Sequence, residues 1–376
     1  MTSSAVLFRP FVSPKLSLPN RIVMAPMTRS HSPGGVPGPD VAAYYRRRAE
    51  GGVGLILTEG TGIAHDAALN DPKVPFFHGA AALAGWAEVL KGVHESGGKI
   101  MPQLWHVGLM RKPGDGPNPE VTPVGPSGVG ARPVQLGAGG LAENVVPPMT
   151  DNQIAEVIAA YAHSAAAAKR LGFDGIELHG AHGYLIDQFF WSATNRRADR
   201  YGGNLAQRTR FAVEVVQACR RAVGADFPII LRFSQWKIAD FAAKLATAPD
   251  ELGRFLAPLV DTGVDLFHCS QRRFWQAEFP GSDLNLAGWT KKLTGMPTIT
   301  VGSVGLDDDF LTGFVEKKGS EIEGIDRLLR MIEQDEVDLV AVGRALLVDP
   351  AWAAKVRDGR LDELVPFTPT ALMRLD

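Results

Sequence analysis

Along the chain, short and nearly continuous apolar runs alternate with longer stretches in which apolar positions recur every three or four residues. The runs at Ile22–Met24, Val53–Thr58, Lys99–Gln103, Gly175–Leu178, Pro228–Phe233, Leu266–Cys269, Thr298–Val301 and Leu339–Val342 predict strands. Unbroken apolar runs of this length suit strands covered on both faces, as in a parallel sheet. The intervening periodicity predicts helices near Asp40–Glu50, Ala80–Glu95, Asp151–Leu171, Ala206–Val223, Asp250–Thr262, Leu286–Leu293, Gly324–Glu333 and Ala351–Val356. Thr150, with Gln153 three residues on, fits a capping box opening the third helix, and Gly172 fits its left-handed end.

Eight strands alternating with eight helices predict an α/β fold, a (β/α)8 TIM barrel forming a single domain over residues 1–376. A doubly wound sheet would want a Gly-x-Gly-x-x-Gly turn after its first strand, where this chain has Met24-Ala25-Pro26-Met27-Thr28. One segment breaks the rhythm. Arg111–Pro148 holds eight Gly and eight Pro in 38 residues, and in a barrel it leaves strand three as an excursion over the active-site rim.

Composition narrows the function classes. The apolar share of 45% is enough for a large core, and 39 basic against 41 acidic residues give a net charge of −2. That balance points away from nucleic acid and anionic membranes as partners. Two cysteines, Cys219 and Cys269, support neither a disulfide framework nor a four-thiolate iron–sulfur site. Without a signal-like or membrane-spanning apolar stretch, a soluble cytoplasmic enzyme is expected.

In a barrel, residues at the strand ends converge on one face. Here they are Pro26-Met27-Thr28, Gly60, Gln103 and Trp105, His179 with His182 and Tyr184, Arg232, Gly302-Ser303 and Gly343-Arg344. This polar set, poor in acids, suits a flat, oxygen-rich anionic ligand. Gly302-Ser303 and Gly343-Arg344 follow strands seven and eight, where barrels commonly seat a phosphate against backbone N–H groups and an arginine. His179 and His182 also have zinc-ligand spacing, with Glu177 as a third donor, so a metal-dependent barrel hydrolase is the alternative. Otherwise Glu177 pairs with a barrel arginine, and the run Arg196–Arg200 builds surface ion pairs.

Ordered motifs carry a resemblance from about Leu7 to Asp349. They are Asn20-Arg21-Ile22-Val23-Met24-Ala25-Pro26-Met27-Thr28-Arg29, Thr58-Glu59-Gly60, Gln103-Leu104-Trp105-His106, and Gly175 through Phe189 with its His179-Gly180-Ala181-His182-Gly183-Tyr184 centre. Asn195-Arg196-Arg197 and Asp199-Arg200-Tyr201-Gly202-Gly203 follow. In these the chain resembles the old yellow enzyme family of FMN-dependent NAD(P)H ene-reductases.

The resemblance implies non-covalent FMN across the barrel mouth, with its phosphate on Gly302, Ser303, Gly343 and Arg344. Thr28 would address the flavin C4 oxygen, Gln103 the pyrimidine edge, and Arg232 the N1/C2 oxygen side. Pro26, Met27 and Gly60 would offer backbone contacts. It implies that His179 and His182 hold the carbonyl or nitro oxygen of an electrophilic alkene, and that Tyr184 protonates its α-carbon. Trp105, Phe274 and Trp275 would wall the substrate pocket. NADH or NADPH would be the reductant, and the protein a monomer or homodimer. Thr28 stands where one branch of the family has cysteine, which sets this chain apart from that branch.

Overall fold

The computed structural model describes residues 4–132, 140–308 and 318–376. Eight parallel strands close a barrel: β1 (Ile22–Met24), β2 (Leu55–Gly62), β3 (Ile100–Trp105), β4 (Ile176–His182), β5 (Ile229–Lys237), β6 (Leu266–Ser270), β7 (Thr298–Val301) and β8 (Leu339–Val342). Each pairs with its sequence neighbours, and β8 closes on β1 through Val340 opposite Ile22. The (β/α)8 barrel read from the alternation is the observed fold.

The helices α1 (Pro39–Glu50), α2 (Ala80–Glu95), α3 (Asp151–Leu171), α4 (Arg210–Val223), α5 (Pro249–Asp261), α6 (Leu286–Thr294) and α7 (Asp326–Glu333) lie between strands. Arg344–Val348 and Trp352–Arg357 follow β8. The fourth helix starts at Arg210 rather than Ala206, because a 3-10 turn over Gln207–Thr209 precedes it. At the start of α3, the Gln153 N–H donates to Thr150 Oγ1 and the Thr150 N–H to Gln153 Oε1. At its end Gly172 sits at φ +95°. Such a cap is worth about 1 kcal/mol.

Four strands run well beyond their apolar stretches, and β6 adds one residue, Ser270. β2 continues from Thr58 to Gly62, β3 from Gln103 to Trp105, β4 from Leu178 to His182 and β5 from Phe233 to Lys237. These extensions carry polar residues because they reach the open end of the barrel, where the interior is no longer filled by aliphatic side chains. Register shifts interrupt the ladder between Leu57 and Gly60 and between Gly180 and His182. Both lie at that end, where bulges re-aim side chains.

Two apolar layers hold the barrel. One lies between the strands and the surrounding helices. The other fills the barrel interior with Val23, Leu55, Leu57, Met101, Ile230, Leu266, Ile299 and Leu339. A hairpin pairing Phe11–Val12 with Ser17–Leu18 adds Phe11, Leu16 and Leu18 to that inner layer. Full burial of one such side chain contributes about 1.5–3 kcal/mol. The N-terminal end is therefore packed shut, and only the C-terminal end has room for chemistry.

The excursion after β3 contains an antiparallel hairpin, Gly130–Arg132 with Gly140–Ala142. Residues 133–139 of it lie outside the described residues. The charged run beyond β4 ties it down. Arg196 makes a forked pair with Glu143 at 2.7 and 2.8 Å, and the Arg197 guanidinium donates to the carbonyls of Pro126 and Met149.

Candidate active site

A cavity of about 500 Å³ opens at the C-terminal end of the barrel and touches residues from seven of the eight strands or the loops that leave them. It has two chemically different ends.

At one end stand the loops after β7 and β8. Gly302 has φ +134°, and a Cβ there would come within 2.5 Å of the Gln271 carbonyl oxygen, so only glycine fits. Ser303 follows at φ +54°, a left-handed conformation rare for a residue with a side chain. The Arg344 guanidinium, 9% exposed, donates to Ser320 Oγ at 2.9 Å, to Ser303 Oγ at 3.3 Å and to the Asp308 carbonyl. Ser303 Oγ in turn donates to the Arg272 carbonyl at 3.0 Å. A fixed cation and a tightly turned backbone thus face the same space, the donor set a phosphate requires. A Cβ on Gly343 would meet nothing nearer than Met27 Sδ at 3.5 Å, so space does not force that glycine.

The barrel wall forms the middle. Gln103 Nε2 donates to Glu177 Oε1 at 2.7 Å, and His268 Nδ1 lies 2.6 Å from Glu177 Oε2. Glu177 is therefore committed to an amide and an imidazole, not to an arginine as the sequence suggested, and Arg232 acts on it only through space. Since a carboxylate only accepts, it fixes the Gln103 amide with its nitrogen toward Glu177. The same commitment removes Glu177 as a third ligand for His179 and His182. Among the described residues no group of three or more His, Cys, Asp or Glu could hold a metal ion.

At the other end, His179, His182 and Tyr184 come together with Trp105. The His179 ring lies 5.2 Å from that of His182 and 4.9 Å from that of Tyr184, and it stacks on Trp105 at 5.9 Å. Burial, reinforced by the Arg232 charge, pushes both imidazoles well below their usual pKa, so both are neutral at pH 7. Burial likewise pushes the Tyr184 phenol up to about 12, with Arg232 opposing, so the phenol keeps its proton. His182 Nε2 lies 2.8 Å from Ser270 Oγ.

Five buried atoms of cavity-lining residues have no hydrogen-bond partner among the described residues: Arg29 Nε and Nη1, Trp105 Nε1, His179 Nδ1 and Arg232 Nε. Leaving such groups unpaired in the folded protein is costly, by about 1–3 kcal/mol each. A ligand rich in acceptor oxygens and nitrogens in this cavity relieves that cost, and a flavin ring system with its phosphate has that character.

The structure does not bring every expected residue to the cavity. Gly60 lies behind it. A Cβ there would meet the Trp105 indole at 2.4 Å, so the glycine makes room for Trp105 instead of touching the ligand space. Phe274 and Trp275 are also outside the lining. The Phe274 N–H donates to the Gly302 carbonyl and its own carbonyl accepts from Asn285, which turns the segment into the packing behind the loop.

Other residues take that space without having been singled out. Trp236 lines the cavity and lies nearly parallel to His182 at 4.4 Å. Its signal was present: 232, 234 and 236 share one face of a strand that keeps its period of two past Arg232. Ser270, Gln271 and Arg272 line the rim. So does Leu372, held there because Arg29 donates to the carbonyls of Ala371, Leu372 and Arg374. No motif marks that distant pairing.

The family profile described as "NADH:flavin oxidoreductase / NADH oxidase family" matches residues 6–363. A "NADH oxidase" of Thermoanaerobacter brockii is 35% identical over an alignment of 373 residues that covers 93% of this chain and 50% of that protein. The chain thus spans about half the length of that relative. A "12-oxophytodienoate reductase 2" of Arabidopsis thaliana is 32% identical over 92% of this chain and 87% of its own. Among solved structures, "Morphinone reductase" superposes with a TM-score of 0.77 at 28% identity, covering 97% of this chain and 92% of that one. A complex of morphinone reductase with tetrahydroNAD superposes with a TM-score of 0.79. Among the described residues, no helix is long and apolar enough to cross a membrane.

Proposed function

The chain belongs to the NADH:flavin oxidoreductase / NADH oxidase family, the old yellow enzyme family, and from that premise we propose that it is an FMN-dependent, NAD(P)H-driven reductase of activated C=C bonds. Its substrates would be α,β-unsaturated carbonyl or nitro compounds. The observation that carries the reading is the unpaired set His179 Nδ1 and Arg232 Nε, in one cavity with the anchored Arg344.

Gly302, Ser303 and Arg344 hold the phosphate of the cofactor. The Gln103 amide and Thr28 address the polar edge of its ring system. Arg232, unable to lose its charge at working pH, favours negative charge developing beside it. FMN held there would supply the hydride chemistry that couples oxidation of the nicotinamide to reduction of the alkene.

Neutral His179 and His182 are donors rather than fixed charges, and they bind the carbonyl or nitro oxygen of the substrate. Their N–H groups stabilise the negative charge that grows on that oxygen as the β-carbon gains hydride. Tyr184 then transfers its phenolic proton to the α-carbon, so the C=C bond becomes a C–C single bond with one new C–H on each carbon, and the phenolate is reprotonated from solvent. Trp105 and Trp236 flank this end and exclude water. The solved complex of morphinone reductase with tetrahydroNAD supports a nicotinamide as the reductant.

The test is direct. The purified protein is loaded with FMN and supplied with NADPH or NADH and 2-cyclohexenone, and the organic phase is analysed by gas chromatography. Cyclohexanone in proportion to nicotinamide oxidised is expected. Nicotinamide oxidation with no loss of the enone would overturn the proposal.

A further inference from the structure

One pair of opposite charges has no place in the chemistry above. Lys237 Nζ lies 2.7 Å from Asp187 Oδ1, and both side chains are fully shielded from solvent. Desolvating two ions offsets much of what their attraction returns, so a buried pair is weak evidence for a purely stabilising role.

The remaining bonds of this pair lead to the segment that carries His182 and Tyr184. Asp187 Oδ2 accepts the Gly183 N–H at 2.7 Å, and Gln188 Nε2 donates to the Gly183 carbonyl at 2.8 Å. Lys237 Nζ donates to the Ser234 carbonyl at 2.9 Å. Ser234 Oγ accepts the His182 N–H at 2.9 Å, and the Ile238 N–H donates to the His182 carbonyl at 3.1 Å. Between these anchors His182 has φ +66° and Gly183 φ +89°. A left-handed histidine persists only where its surroundings over-determine it. The short helix Leu185–Phe190 supplies one set of anchors and the end of β5 the other. The Asp187–Lys237 pair is the bond that joins the two.

We propose that Asp187 is a positioning residue, with Lys237 as its buried counter-charge. Asp187 holds the Gly183 peptide as Ser234 holds that of His182, and the His182 imidazole and Tyr184 phenol are thereby presented to substrate together. The inference rests on the ene-reductase reading for its consequence in catalysis, but its structural content stands separately.

Two neutral double variants of the FMN-loaded protein test it. D187N/K237M removes both charges and keeps an acceptor for the Gly183 N–H. D187L/K237M removes both charges and the acceptor. Replacing both members of a buried pair is tolerated far better than removing one, so both doubles are expected to fold and retain FMN. Anaerobically reduced enzyme is then reoxidised by 2-cyclohexenone, or by dioxygen, which needs neither His182 nor Tyr184.

D187N/K237M should stay within about threefold of wild type toward the enone, while D187L/K237M falls by about 30-fold or more, the scale of a misplaced catalytic group. The dioxygen rates of both should match wild type. Amide hydrogen exchange at Gly183 and Tyr184 should quicken only in D187L/K237M. Equal enone rates in the two doubles, or a dioxygen rate that falls with the enone rate, would overturn the assignment. Should either double fail to fold, S234A removes the Ser234 Oγ bonds to the His182 N–H and to the Trp236 carbonyl and is expected to slow enone reoxidation about tenfold without changing the dioxygen rate; an unchanged enone rate there counts against the proposal. If wild type itself reduces no enone, the functional reading fails, and the hydrogen-exchange contrast still decides the positioning claim.

Discussion

The two ends of the cavity are built by different means. The end near Gly302 and Arg344 is made of backbone turned by a glycine that nothing else could replace, with one arginine pinned by Ser303, Ser320 and a carbonyl. The end near His179 is made of side chains, with rings stacked on rings and buried nitrogens left without partners. The first is satisfied by its own bonds, as a seat for a fixed anion would be. The second keeps buried nitrogens without partners among the described residues, as a site for a group that comes and goes would. Binding a resident cofactor and turning over a transient substrate make those opposite demands.

If this division holds, substitutions at the two ends should separate cofactor retention from turnover. The largest effect is expected for H179L, which removes a donor to the substrate oxygen. Reoxidation of the reduced enzyme by 2-cyclohexenone should fall by about 10²–10³, with FMN content unchanged. Loss of FMN from this variant would break the separation.

R344L should do the converse. Loss of a charge-assisted contact predicts FMN affinity about 10- to 100-fold weaker, measured by fluorescence titration of apoprotein. Enone reoxidation of the fraction that stays loaded should be near normal. A smaller effect is expected for W236A. It removes the ring stacked on His182, so KM for the enone should rise several-fold with kcat changed less, because an aromatic contact contributes about 0.5–1.5 kcal/mol.

The smallest effect is on pH dependence. Both imidazoles are held well below their usual pKa and the Tyr184 phenol is raised to about 12. No member of the trio therefore changes charge between about pH 7 and 9, and the enone reoxidation rate should be flat across that window. The sign at lower pH follows. The unfolded chain takes up protons on these histidines below about 6.5 while the folded chain does not, so their contribution to stability is full above 6.5 and declines as pH falls. A bell-shaped rate with an inflection between 7 and 8 would show a charged imidazole in the mechanism and blur the contrast between the ends.

The same contrast explains what was legible in the sequence. The barrel was readable because the buried strand cores are nearly continuous apolar runs, of which Leu339 to Val342 is unbroken. The anion end was readable because its residues are consecutive: Gly302-Ser303 and Gly343-Arg344 each follow directly from a strand. Wherever a wall depends on how the chain turns afterwards, the sequence misleads. Phe274 and Trp275 look like loop aromatics near a site, yet one backbone bond from Phe274 to Gly302 carries them behind it.

Strand ends were placed too early for a related reason. The apolar run stops where the strand reaches the open mouth, although the ladder continues, and Trp236 lies on that continuation. Glu177 was assigned an arginine because its actual partners, Gln103 and His268, are 74 and 91 residues away in the chain. Leu372 reaches the mouth in the grip of Arg29, which is 343 residues distant, on a segment that Arg47 and Arg48 also hold.

The most direct measurement is sequential-mixing stopped flow on the FMN-loaded protein without oxygen. Mixing with NADPH should bleach the band at about 450 nm, and a second mix with 2-cyclohexenone should restore it in wild type but only slowly in H179L. Reappearance of the band at the same rate in both proteins, or no reappearance in wild type, would contradict the account.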